Sequence, residues 1–175
     1  MKLSIFPNYI YKYNIKISQE EQKILHLLVK NYKAEEHYTT YYKDSVLIFS
    51  ELSSLKEKLT KIFDELNLKI IHAWVQGYGQ EDKHVLHTHG DAMYSSILYL
   101  NCTENSSETV FYHPLYPHHY FYKIKKEKII VKPKVGKLII FPSYIAHEVK
   151  PNKDRSRLIM SLNAVDKNEK EYFKY

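Results

Sequence analysis

The hydrophobic period of this chain changes once, at Asn67, and that change limits the fold more than any other feature. Upstream, apolar residues recur at helical spacing. Ser18-Gln19-Glu20-Glu21 has the S-x-x-E form of a capping box, with Ile24, Leu25, Leu27, Leu28 and Tyr32 filling one face behind it. A polar, tyrosine-rich linker is expected over 33–44. A second helix is expected over 51–67, with Ser50 as its N-cap and Leu52, Leu55, Leu59, Ile62, Phe63 and Leu66 as a single buried stripe. Downstream the period falls to two. Strands are expected over 68–75, 95–100, 108–112, 121–132, 137–141 and 157–165, with loops over 101–107 and 114–119. Two helices followed by six or more short strands predict a mainly β fold: a double-stranded β-helix (jelly roll) with two N-terminal α-helices packed outside one sheet.

At 175 residues the chain is about one domain long. The expected division is a single domain over 1–175, with a helical support region (1–67), a jelly-roll core (68–166) and a C-terminal tail (167–175). A hydrophobic content of 44% excludes a disordered chain, and no apolar run reaches the ~18–20 residues of a membrane-spanning helix. Residues 1–10 lack the apolar stretch of a signal peptide, and the lone Cys102 excludes an intramolecular disulfide, so a cytoplasmic setting is expected. Net charge is +6, but the lysines are scattered. The densest stretch, 123–134, alternates Lys with Ile and Val as a solvated strand face would, so no nucleic-acid partner is supported.

Of the ten histidines, position singles out those in His87-Thr88-His89-Gly90-Asp91. In an extended chain, residues two apart face the same way, so His87, His89 and Asp91 can project together. Neutral imidazoles plus a carboxylate suit Fe(II) and similar borderline metals. Two adjacent positions cannot close such a site, and His147, after a buried strand and a Phe-Pro-Ser turn, is the candidate for the third. Ten residues on, Arg157 shares a strand face with Ile159, Ser161 and Asn163. An arginine facing a jelly-roll interior needs an anion, since an unpaired buried guanidinium costs on the order of 3–5 kcal/mol. Its planar fork suits a carboxylate, although Asp154 or Glu148 could also satisfy it.

The stretch from Trp74 to Asn163 resembles the Fe(II)- and 2-oxoglutarate-dependent oxygenase superfamily, most closely a bacterial and phage branch. The residues that carry the resemblance are Trp74, His87-Thr88-His89, the strand 95–100, Gly136 leading to Phe141-Pro142-Ser143, then His147 and Pro151, and Arg157 with Ser161 and Asn163. Ser96 stands where the branch has Gly, Ile159 where it has Ser, and Leu162 where it has Phe. The resemblance implies Fe(II) held by His87, His89 and His147, with Asp91 as the alternative carboxylate ligand. It also implies 2-oxoglutarate as cosubstrate with its far carboxylate on Arg157, further hydrogen bonds from Ser161, Asn163 or Tyr99, and O2 as oxidant. Trp74, Met93, Tyr94 and Phe111 are expected pocket walls. The implied reaction hydroxylates a small-molecule or peptide substrate with release of succinate and CO2.

Two other classes remain open at the level of sequence. A cupin also uses H-x-H, but Met93 and Tyr94 occupy the positions of its glutamate, and 136–147 is too long for its second histidine element. A non-catalytic jelly-roll binding module would retain same-face histidines without using them.

Overall fold

A computed structural model describes residues 9–30, 38–40, 45–114, 127–155 and 157–168. Ten strands form two antiparallel sheets. The larger has the order β1 (Tyr11–Asn14), β8 (Lys137–Pro142), β5 (Tyr94–Asn101), β10 (Arg157–Asp166), β3 (Leu68–Tyr78), β2 (Tyr38–Thr39). The smaller has the order β4 (His84–His87), β9 (His147–Val149), β6 (Thr109–Tyr112), β7 (Lys128–Val131). The architecture is the expected jelly roll.

Helices α1 (Gln19–Lys30), α2 (Ser45–Ser50) and α3 (Ser53–Glu65) lie N-terminal to the main run of strands. The capping box forms as read: the Ser18 N–H donates to Glu21 Oε2 at 2.7 Å and the Glu21 N–H to Ser18 Oγ at 3.1 Å. The second helix departs from expectation. It begins at Ser53, Leu52 occupies its N-cap without a side-chain bond, and Ser50 instead ends the short α2. Leu52 is buried, so apolar packing replaces the missing capping bond. Leu55, Leu59 and Phe63 of α3 are buried as the stripe predicted, each stabilising by about 1.5–3 kcal/mol. Asn67, at φ 58°, turns the chain out of the helix into β3.

β10 is central to the larger sheet and buried along nearly its whole length. Its side chains alternate between two cores. Leu158, Met160, Leu162 and Ala164 join the core that contains the helices' Leu25, Leu55, Leu59 and Phe63. Ile159 joins Tyr78, Ile97, Tyr99, Phe111 and Phe141 in the space between the sheets. Gly136, at φ 80°, accepts the Ile15 N–H at 2.7 Å and donates its own N–H to the Tyr99 carbonyl at 2.8 Å. A Cβ there would stand 2.2 Å from the Ile15 carbonyl oxygen, so glycine is required.

The expected strands 68–75 and 137–141 extend slightly further, and 121–132 is seen as 128–131, its first six residues lying outside those described. Most of the linker 33–44 and of the tail 167–175 also lies outside them. β1, β2, β4 and β9 were not expected. No described helix is long and apolar enough to cross a membrane.

Candidate metal and anion site

The site is built between the sheets. His87 ends β4 and His147 begins β9, and the two are register partners across the smaller sheet. His89 follows in the loop 88–93 leading to β5. Their ligand nitrogens lie within 4.8 Å of one another, which makes them a group able to hold a metal ion. Asp91 is outside this group: it is exposed and accepts hydrogen bonds from Asn163 Nδ2 at 3.3 and 3.4 Å.

Local chemistry fixes which ring nitrogens face inward. His87 Nδ1 lies 2.8 Å from the Val85 carbonyl and His147 Nδ1 2.9 Å from the Ile145 carbonyl. Each Nδ1 therefore carries the proton and leaves Nε2 as a free donor pair for a cation. Burial pushes the pKa of His147 down to about 3 and that of His89 to about 4, with the neighbouring imidazole of His87 adding to both. His87 is lowered for the same first reason. All three rings are thus neutral near pH 7, the form a metal requires. Phe111 and Phe141 pack on His147, and Trp74 stands 6.4 Å from His89 between ring centroids.

A cavity of about 30 Å³ opens beside the imidazoles, lined in part by Trp74, Gln76, Tyr78, Ser161 and Ile159. That is room for a water molecule or two, so a larger ligand enters only as lining side chains give way. Its wall ends at Tyr78, whose ring carries the Arg157 guanidinium 4.4 Å from its centroid. Arg157 is 1% exposed. Its Nη2 donates to Thr109 Oγ1 at 3.3 Å, while Nε and Nη1 are buried without a hydrogen-bond partner. Neither nearby acid serves it. The Asp154 carboxylate accepts from Thr103, Ser106 and Asn152, and Glu148 is engaged by Tyr112 and Lys150. Tyr99 lies under the same guanidinium and shares a 2.8 Å hydrogen bond with Thr109. Burial raises the pKa of both Tyr78 and Tyr99 against the opposing field of Arg157, keeping the phenols protonated.

Several expected site residues fall elsewhere. Tyr94 faces the opposite way, packed against the helix-side core, so it is not a pocket wall. Met93 lies off the cavity wall: its carbonyl and N–H bond Ser143 and Ala164. Asn163 sits beside Asp91, six residues along β10 from Arg157, about 20 Å at ~3.3 Å per residue. Gln76 and Tyr78 lie beyond the expected strand 68–75, and carrying the alternation from Trp74 two steps further would have found both. His84, outside the expected set, also belongs to the site: its ring stacks on His87 at 4.0 Å and its Nδ1 lies 3.4 Å from the Tyr78 hydroxyl. Thr109 was legible as the inward neighbour of Phe111 two positions on.

Fold and site together define a jelly-roll protein equipped for a divalent metal and an anionic ligand. The chain belongs to the 2OG-Fe(II) oxygenase family: the family described as "Putative 2OG-Fe(II) oxygenase" matches residues 72–163, more than half of it. That family uses Fe(II), 2-oxoglutarate and O2. No curated protein sequence is matched by the chain. Among solved structures, it is similar to the viral collagen prolyl hydroxylase of Paramecium bursaria Chlorella virus-1, with 15% identity over 89% of this chain and 94% of that one, at a TM-score of 0.65. It is also similar to a prolyl hydroxylase of Trichoplax adhaerens, solved with a hypoxia inducible factor peptide, with 13% identity over 95% and 87% of the two chains and a TM-score of 0.67. A third is the alpha ketoglutarate dependent epimerase SnoN of nogalamycin biosynthesis, with 11% identity over 91% and 78% and a TM-score of 0.68. At such identities the likeness is one of fold. The residues present fit the family's cofactors: Arg157 offers buried, unpartnered donors suited to an anion, and the three imidazoles offer ring nitrogens suited to a cation.

Proposed function

We infer that this chain is a hydroxylase acting on a small-molecule or peptide substrate, in one catalytic unit whose jelly-roll core is braced by its N-terminal helices. The observation that carries this reading is the pairing, in one interior, of three neutral imidazoles with a buried arginine that has unmet donors. His87 and His147 would hold the metal through Nε2 and His89 through one of its ring nitrogens, each imidazole kept neutral by burial. Arg157 grips the distal carboxylate of 2-oxoglutarate with the two parallel bonds its fork allows, with Thr109 and Tyr99 beside it. Ser161 and Gln76, on the wall between these ends, supply hydrogen bonds to the intervening part of the diacid. When bound, iron with its cosubstrate and O2 supplies the oxidative decarboxylation that yields succinate and CO2 and oxidises an unreactive C–H bond. Trp74, at the His89 side, excludes water and orients the substrate.

Anaerobic addition of Fe(II) and 2-oxoglutarate tests the reading. The expected result is a visible charge-transfer absorption that requires both. A chain that binds Fe(II) without developing this band when the diacid is added would count against it.

A further inference from the structure

Ser143, Ser95, Asn163 and Asp91 form a polar network that neither the imidazoles nor Arg157 account for. Three of its four members lie in the interior: Ser95, Ser143 and Asn163 are each no more than 2% exposed. Ser95 Oγ donates to Asn163 Oδ1 at 3.1 Å, and Asn163 Nδ2 donates to the Asp91 carboxylate. A serine hydroxyl has a single proton, so in the 2.8 Å contact between the two serines Ser143 must be the donor. All side-chain bonds then run one way, Ser143 to Ser95 to Asn163 to Asp91, ending on an anion. Such a chain polarises cooperatively and fixes every rotor in it.

The network surrounds the loop 88–93, whose residues form no strand ladder of their own. That loop is anchored at both ends to the same serine: the His89 N–H donates to the Ser143 carbonyl at 2.9 Å and the Ser143 N–H to the Met93 carbonyl at 3.0 Å. The Met93 N–H in turn reaches Ala164, the residue after Asn163. Two positions beyond Ser143, Ile145 supplies the carbonyl facing His147 Nδ1. Ser143 is therefore bonded at both ends of the loop that carries His89 and lies four residues before His147.

We propose that the Ser143–Ser95–Asn163–Asp91 relay is the device that positions His89 against His87 and His147. Asn163 acts through the loop and lies off the cavity wall, whereas Ser95 links Asn163 to Ser143 and also lines the cavity. Asp91 is the anchor of the loop, which explains a carboxylate two residues from His89 that stands outside the metal-ligating group. This rests on the reading of the three imidazoles as metal ligands.

The test is a Co(II) titration of the full chain without 2-oxoglutarate, followed by the visible ligand-field bands, and then a 2-oxoglutarate titration at saturating metal. Asn163→Ala should weaken Co(II) binding by about 10–100-fold, the range for lost outer hydrogen bonds at metal sites, with altered bands and near wild-type 2-oxoglutarate affinity, and Ser95→Ala should weaken Co(II) binding over the same range. Asp91→Ala should do likewise, and Asp91→Asn, which keeps an acceptor, should recover most of the loss. Unchanged Co(II) affinity in Asn163→Ala with weakened 2-oxoglutarate binding would overturn the proposal. If the interior variants do not fold, Asp91→Ala, on the exposed loop, decides alone: wild-type metal affinity there overturns it. A wild-type chain that binds no Co(II) would instead overturn the reading of the imidazoles, and the relay with it.

Discussion

The two ends of the interior solve opposite problems. At the imidazole end the ligand nitrogens are aimed by backbone carbonyls, and the loop between His87 and β5 is laced to Ser143, so the geometry is set before any metal arrives. At the arginine end the guanidinium is enclosed by Tyr78, Tyr99 and Thr109 with two of its nitrogens unmet. One end is preorganised; the other is held in deficit. A ligand at the first completes a built frame, whereas a ligand at the second relieves a standing cost.

The largest effect should come from breaking the imidazole end. His147→Ala removes the most buried ring of the group and should reduce metal-dependent turnover to background, checked by succinate release, while the fold persists by circular dichroism. The arginine end should respond in the reverse sense. Arg157→Met removes a guanidinium with unmet donors, so the chain without cosubstrate should become more stable, by about 1–4 kcal/mol, while 2-oxoglutarate binding is lost. Urea unfolding with and without the diacid reads both: wild type should gain stability from the ligand and the variant should not. Gly136→Ala forces a Cβ into the Ile15 carbonyl and should destabilise by about 1–3 kcal/mol, loosening β1 from β8 beside the Tyr99 carbonyl. A test of a different kind is pH. The imidazoles of His89 and His147 titrate below their unfolded value of ~6.5, so the unfolded chain takes up protons first as pH falls. Metal-free stability should fall from about pH 6.5, the His89 contribution levelling off near pH 4 and that of His147 near pH 3, and His147→Gln should flatten that slope in thermal melts.

The long, strongly periodic elements were legible in the sequence. β3, β5 and β10 lie within three residues of expectation because each is a long run, eight residues or more, of residues that pack in a sheet. The inward face of Arg157 followed from strand alternation. β4 and β9 could not be found this way: at four and three residues they are too short to show a period, and a register shift between His84 and His87 interrupts the first. α2 is Ser-Val-Leu-Ile-Phe-Ser, whose β-branched run carries no helical signal, so its helicity comes from packing of Ile48 and Phe49 into the core. Alternation alone also placed Asn163 on the same face as Arg157. It could not say that the distance along the strand puts the two at opposite ends of the interior.

The absence of a carboxylate among the three converging side chains has an electrostatic consequence. Imidazoles contribute no formal charge, so a divalent ion held by them alone keeps its full double positive charge, and the guanidinium beyond Tyr78 adds another. Such a field in a largely enclosed interior would draw small anions of many kinds. Phosphate, sulfate and chloride in the medium therefore become competitors for the diacid, and the buffer chosen for an assay becomes a variable of the enzyme's apparent affinity.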